Sequence, residues 1–125
     1  MDRPAKILIV DDDHDMCSML DFYFSNLGYE VHVANNGAGA MRAVGDVRPD
    51  LILLDIVLPD TSGHTVARAL RADRYTANIP IIFLSAKARQ EERNAGLELG
   101  ADDYVAKPFD AQELRLRIER ILKAA

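Results

Sequence analysis

The chain has 125 residues, a length typical of one folded domain, and residues 1–125 are read as one. Twenty Asp plus Glu against fifteen Lys plus Arg leave a net charge of −5, which excludes the basic balance of a general nucleic-acid binder. The single cysteine, Cys17, excludes an internal disulfide and a cysteine zinc cage. No apolar run approaches the roughly 20 residues that cross a bilayer, and no signal-peptide pattern opens the chain, so a reducing, cytoplasmic setting without membrane is the simplest expectation.

Short apolar runs alternate with longer periodic ones. Ala5 to Val10 is a β-branched run that stops at Asp11-Asp12-Asp13. Met16, Met19, Leu20, Tyr23, Phe24 and Leu27 then form an amphipathic helical stripe. Tyr29 to Ala34 reads as a second strand and 37–46 as a second helix. Asp50 to Asp55, after Pro49, is a third strand, and 63–74 a third helix. Ile79 to Leu84 is a fourth strand. The segment 88–99 is a weak helical pattern, because Gly96 sits inside it and glycine costs about 1 kcal/mol in a helix interior. Asp103 to Ala106 is a weaker fifth strand. The last helix runs from about Asp110 to Lys123, with Asp110 and Glu113 spaced as a capping box and Leu114, Ile118, Ile121 and Leu122 as its apolar face.

Runs one, three and four are apolar throughout rather than alternating, which favours strands covered on both faces. The expected fold is therefore α/β: a doubly wound (βα)5 arrangement with a five-stranded parallel sheet and helices on both faces. In such sheets ligands bind beyond the carboxyl ends of the strands.

At those ends stand Asp11 and Asp12, Asp55, Ser85, and Lys107 followed by Pro108. Three carboxylates in proximity share protons or hold a cation. Oxygen-only ligands favour a hard divalent ion such as Mg2+, which keeps waters and completes its shell with phosphate oxygens. A lysine and a hydroxyl opposite would meet the remaining phosphoryl oxygens, and an Asp carboxylate is a nucleophile able to form an acyl phosphate. Each residue also has an ordinary reading: the aspartates as helix-start carboxylates, Ser85 as a cap, Lys107 as a surface charge. Asp13 suits such a helix start. The joint placement of the others on one sheet edge argues for the site.

The runs Ile7-Leu8-Ile9-Val10-Asp11-Asp12-Asp13, Pro49 to Asp55, Leu58-Pro59-Asp60 with Gly63, Ile79 to Ala86, and Gly100 to Phe109 stand in an order and spacing that resembles the receiver domain of bacterial two-component response regulators, from end to end. The resemblance implies a flavodoxin-like fold and a phosphorelay module that turns over no external substrate. Asp55 would be the phosphoacceptor. Asp11 and Asp12, with Asp55 and the backbone carbonyl of Val57, would hold Mg2+ or another divalent ion such as Mn2+. Lys107 would pair with the phosphoryl group across a cis Lys107-Pro108 bond, and Ser85 and Tyr104 would be the switch pair. The implied partner is a sensor histidine kinase or phosphotransfer protein, with no direct nucleic-acid binding by this domain. The closing stretch from Gly100 to Leu114 resembles receivers joined to an output domain, which sets the expectation of a piece of a longer chain.

In transcription-factor members of that family, the 88–99 helix, fifth strand and last helix form a symmetric homodimer. Arg93 with Glu113, and Asp103 with Arg117, are the candidate charge pairs here, against the alternative of charges paired within one chain or solvated; Leu99 stands where a further acidic partner is expected. His64 departs from the usual apolar residue and is expected as an exposed helix residue, His14 and His32 as surface residues, and Cys17 as a small helix residue. Three other functions compete. A Mg2+-dependent phosphatase or transferase would need a lid or specificity domain. A non-catalytic flavodoxin-like binder would need a phosphate cradle where three aspartates stand. A pseudo-receiver would not need the full set of acidic, hydroxyl and lysine positions.

Overall fold

The structure is a computed structural model that describes residues 3–86 and 100–124. In chain order its elements are β1 (Lys6–Val10), α1 (His14–Asn26), β2 (Glu30–Ala34), α2 (Gly37–Val47), β3 (Leu51–Asp55), α3 (Gly63–Ala72), β4 (Ile81–Ser85), β5 (Asp103–Ala106) and α4 (Ala111–Ala124). The strands make one parallel sheet in the order β2-β1-β3-β4-β5, the flavodoxin-like winding. The helix expected over 88–99 lies outside the described residues, as do Arg93 and Leu99.

Alternation along each strand sorts its side chains between two cores. Leu8, Val10, Ile52, Leu54, Ile81, Phe83 and Tyr104 pack with Ala40 and Val44 of α2 and Val66, Ala67 and Leu70 of α3. Ile7, Ile9, Leu51, Leu53, Ile82, Leu84 and Val105 pack with Cys17, Leu20 and Phe24 of α1 and Leu114 and Ile118 of α4. The central strands β3 and β4 are buried at every position, which is why their sequences read as unbroken apolar runs.

Several local expectations shift. Helix α1 turns Cys17, Leu20 and Phe24 inward, while Met19 and Leu27 are exposed. Met19 lies about 100° round the helix from Leu20, on the flank of the face, and Leu27 is the C-cap, where the chain leaves the helix. Strand β4 begins at Ile81 rather than Ile79, because Pro80 has no N–H for the ladder; its carbonyl accepts from Ile52 instead (2.9 Å). At the start of α4, Asp110 accepts from the backbone of Gln112 (2.8 Å), but Glu113 turns to Arg117 (3.0 Å) and the reciprocal half of a capping box is not made. His64 is half-buried, not exposed: its ring stands edge-on to Phe83 with centroids 5.1 Å apart, because the first turn of α3 lies against β4.

Helices α1 and α3, which follow β1 and β3, leave toward opposite faces of the sheet. The chain therefore opens a crevice between the carboxyl ends of these neighbouring strands.

Candidate phosphoacceptor and metal site

That crevice holds the acidic residues. Asp11 follows β1 and stays almost wholly buried because its backbone N–H extends the ladder to Ala34 O (3.1 Å). Its carboxylate accepts from the backbone of Asp13 at Oδ1 (2.9 Å) and from Lys107 Nζ at Oδ2 (2.6 Å). Its carbonyl accepts from the Asn35 amide (2.9 Å) and from Cys17 Sγ (3.5 Å). Burial pushes the Cys17 thiol up to about 12, with the charge of Asp11 adding to it, so it is a packed thiol as expected. Asp12 is exposed at the crevice mouth, and Asp13 is the N-cap of α1, accepting from Met16 N (3.0 Å).

Asp55 ends β3 and is 6% exposed. Lys107 reaches its Oδ2 at 3.3 Å, and the Val57 amide its Oδ1 at 3.3 Å. Burial, and then the charge of Asp11, raise the Asp55 carboxyl above its ordinary pKa; Lys107 opposes this without cancelling it. Burial works against the Lys107 ammonium, but the hydrogen bond and charge of Asp11, joined by Asp55, outweigh it and hold its pKa above the ordinary value.

Lys107 is placed by backbone as well. Its N–H donates to Ser85 O (2.8 Å), continuing the β4–β5 ladder by one residue, and the Lys107-Pro108 peptide is cis. Ser85 is wholly buried at the end of β4, and Tyr104 is buried in β5 with its ring 6.4 Å from that of Phe83. Between Asp55 and α3 the chain makes a tight turn, with an antiparallel bridge from Val57 to Ser62 and hydrogen bonds from Leu58 N to Thr61 O (3.2 Å) and from Gly63 N to Ile56 O (2.7 Å). Gly63 sits against the Asp55 carbonyl, and a Cβ there would collide with it.

One carboxylate oxygen from each of Asp11, Asp12 and Asp55 lies within 4.8 Å of the others. Three carboxylates against one ammonium leave a surplus of negative charge, and the oxygen-only donors fit a hard divalent cation such as Mg2+. A cavity of ≈ 390 Å3 beside Lys107 is lined by Asp13, Met16, Met19, Ala86, Pro108 and Phe109.

The structure thus brings Asp11, Asp12, Asp55 and Lys107 together and places Ser85 and Tyr104 on the adjoining strands. Asp103 and Arg117, a candidate pair between subunits, join within the chain at 2.7 Å; Glu113 and Arg120 extend this network. Two supporting residues were not anticipated. Asn35 holds the Asp11 carbonyl, and Asp60 accepts from the α2 amides of Gly37 (2.7 Å) and Ala38 (3.0 Å). Asn35-Asn36 before Gly37 is a readable helix-start signal, but its reach to β1 is not local.

Fold and site together define a flavodoxin-like α/β protein with an acidic pocket and a lysine at the carboxyl edge of its sheet. Residues 7–119 match the model of the response regulator receiver domain, and the chain belongs to that family, the signalling module of two-component systems. It is 45% identical over 117 residues to the phosphate regulon transcriptional regulatory protein PhoB of Pseudomonas aeruginosa, covering 94% of this chain and 51% of that one. To the DNA-binding response regulator MtrA of Mycobacterium tuberculosis it is 42% identical over 118 residues, covering 94% and 50%. The chain spans about half the length of these curated relatives. Among solved structures, a putative response regulator from Chloroflexus aurantiacus superposes with a TM-score of 0.90 at 38% identity, covering 97% of this chain and 99% of that one. The chemotaxis response regulator CheY4 of Vibrio cholerae gives 0.88 at 29% identity, covering 94% and 98%. No helix among the described residues is long and apolar enough to cross a membrane.

Proposed function

We propose that Asp55 accepts a phosphoryl group from the phosphohistidine of a sensor histidine kinase or phosphotransfer protein. An Asp55 carboxylate oxygen attacks phosphorus, the P–N bond breaks, and the imidazole nitrogen leaves with its electron pair. Asp11, Asp12, Asp55 and the Val57 carbonyl would hold Mg2+, or Mn2+ in its place. When bound, the ion supplies charge neutralisation for the transferring phosphoryl oxygens. The observation that carries this reading is the convergence of three carboxylates on one edge with the Lys107 ammonium 2.6 Å from Asp11 and 3.3 Å from Asp55.

The chain's own residues supply position and charge. The β3 ladder and the Val57 amide orient Asp55, and the ≈ 390 Å3 cavity beside Lys107 leaves room for the donor imidazole. Phosphorylation adds a charge of about −1.5 to −2 and three acceptor oxygens. Lys107 then has a stronger partner than the Asp11 carboxylate and moves toward the phosphoryl group. Ser85 donates to it from the end of β4, and Tyr104 changes its packing beside Phe83.

The altered face, which carries β5 and α4, would control an output domain or partner; the 88–99 segment expected to join it lies outside the described residues. A homodimer through that face would exchange the internal Asp103–Arg117 pair for one between subunits. Residues 1–125 would act as one receiver unit in the cytoplasm, catalysing their own acylation and deacylation only. Incubation with a radiolabelled, autophosphorylated histidine kinase tests this. Label should pass to the wild type as a hydroxylamine-labile acyl phosphate. Stable label on another residue, or no transfer from any kinase of a matched panel, would contradict it.

A further inference from the structure

We propose that the corner between β2 and α2 sets the spacing of the acidic site, with Asn35 and Asp60 as its positioning residues. This rests on the reading of Asp11, Asp12, Asp55 and Val57 as a divalent-cation site.

A helix leaves its first amides without partners inside the helix, and a local cap side chain usually meets one of them. At α2 the side chain of the local cap, Asn36, accepts from Gly39 N (2.7 Å). The two amides before it donate to a residue of another loop: Gly37 N to Asp60 Oδ1 (2.7 Å) and Ala38 N to Oδ2 (3.0 Å). Asp60 lies in the turn after β3, between Val57 and Ser62, whose backbones bridge each other. Its two acceptor bonds therefore fasten the Val57 turn to α2. The approach is close. Thr61 Cγ2 occupies the place where a Cβ on residue 37 would stand, so a side chain there would have to displace the Thr61 methyl group. Two further facts favour a lasting clasp: a carboxylate suits the positive end of a helix, and the two amides hold the Asp60 carboxyl below its ordinary pKa.

The same corner grips β1. The Asn35 amide donates to Asp11 O (2.9 Å), and Asp11 N donates to Ala34 O (3.1 Å). Residues 34–38 thus hold the loop that carries Asp11 and Asp12 with one end and the turn that carries Val57 with the other. Among the described hydrogen bonds, this bridge between those two loops uses none of the three carboxylates of the site and not Lys107. Groups that orient metal ligands at one remove contribute about 10- to 100-fold to metal affinity.

The test is calorimetric titration of Mg2+ into the metal-free chain, with urea unfolding run on each variant. Asp60→Ala and Asn35→Ala should each weaken Mg2+ binding by about tenfold. Asp60→Asn, which keeps one neutral acceptor oxygen, should fall between and decides the matter if Asp60→Ala does not fold. Asn36→Ala strips a cap from the same helix without releasing either loop. It should lower the unfolding midpoint and leave Mg2+ affinity at the wild-type value, which separates positioning from mere helix stability. Wild-type affinity in the Asp60 variants, or an equal loss in Asn36→Ala, overturns the proposal while leaving the cation site standing. Absence of Mg2+ binding by the wild type overturns both.

Discussion

Lys107 lies closer to Asp11 than to Asp55: its Nζ is 2.6 Å from the first carboxylate and 3.3 Å from the second. The ammonium is thus held mainly by the residue that follows β1 and not by the proposed acceptor, with Asp55 within its reach. It keeps two buried carboxylates in one crevice compatible with folding.

Removal of that charge should therefore destabilise the metal-free chain. Lys107→Ala leaves Asp11 and Asp55 facing each other without a counter-ion, a loss of about 2 kcal/mol in urea unfolding with chelator present. Mg2+ should restore part of the difference, because a cation between the carboxylates replaces the missing neutralisation. An unchanged midpoint in chelator would contradict the role given to Lys107.

Two aspartates should show opposite pH dependence. The Asp55 carboxyl is raised above its ordinary 3.8 by burial and then by Asp11, so the folded chain binds its proton more tightly than the unfolded chain does. Its ionised form is a penalty at pH above the folded pKa, relieved as pH falls through that value toward 3.8. Asp55→Asn should raise metal-free stability at pH 7 by about 1 kcal/mol, and the gain should fade on acidification. Asp50 is held below 3.8 chiefly by its hydrogen bond from Arg3, with the Lys6 amide adding to it. Its contribution is present above the unfolded value and lost as pH falls through the folded one. Asp50→Asn should cost about 1 kcal/mol at pH 7, a modest figure because the Arg3 side chain is 59% exposed, and nothing once both forms are protonated. Unfolding midpoints across pH check both signs.

Gly63→Ala should be disproportionately harmful for an added methyl group. The new Cβ would meet the Asp55 carbonyl and Ile56 Cα, both backbone, so the β3 end has to move. A loss of about 2–3 kcal/mol in thermal or urea unfolding is expected. A near-neutral result would mean that the turn after β3 yields more easily than its hydrogen bonds suggest.

The pairing of Arg117 with Asp103 and Glu113 is internal, so its removal should act on the monomer. Arg117→Ala should cost about 1 kcal/mol irrespective of protein concentration. A loss that grows with concentration would show that the pair works between subunits instead.

The sheet and its acidic edge were legible because buried parallel strands leave an unmistakable trace: apolar runs that end at Asp11, Asp55, Ser85 and Lys107. Parallel pairing then puts those ends together without any tertiary detail. Residues whose role depends on a neighbour from elsewhere in the chain were not legible. His64 reads as an outward polar residue of α3, yet its ring packs on Phe83 of β4. Glu113 has capping-box spacing, yet Arg117 draws it away. Asn35 and Asp60 act across 24 and 23 residues of chain, a distance at which no local spacing signals a contact.

Acceptance of a phosphoryl group by Asp55 at a divalent-cation site, as proposed, is open to intact-mass spectrometry after incubation with acetyl phosphate and Mg2+. One phosphoryl adduct is expected on the wild type, absent in chelator and absent in Asp55→Asn. An adduct that persists in Asp55→Asn, or that forms equally well in chelator, would contradict it.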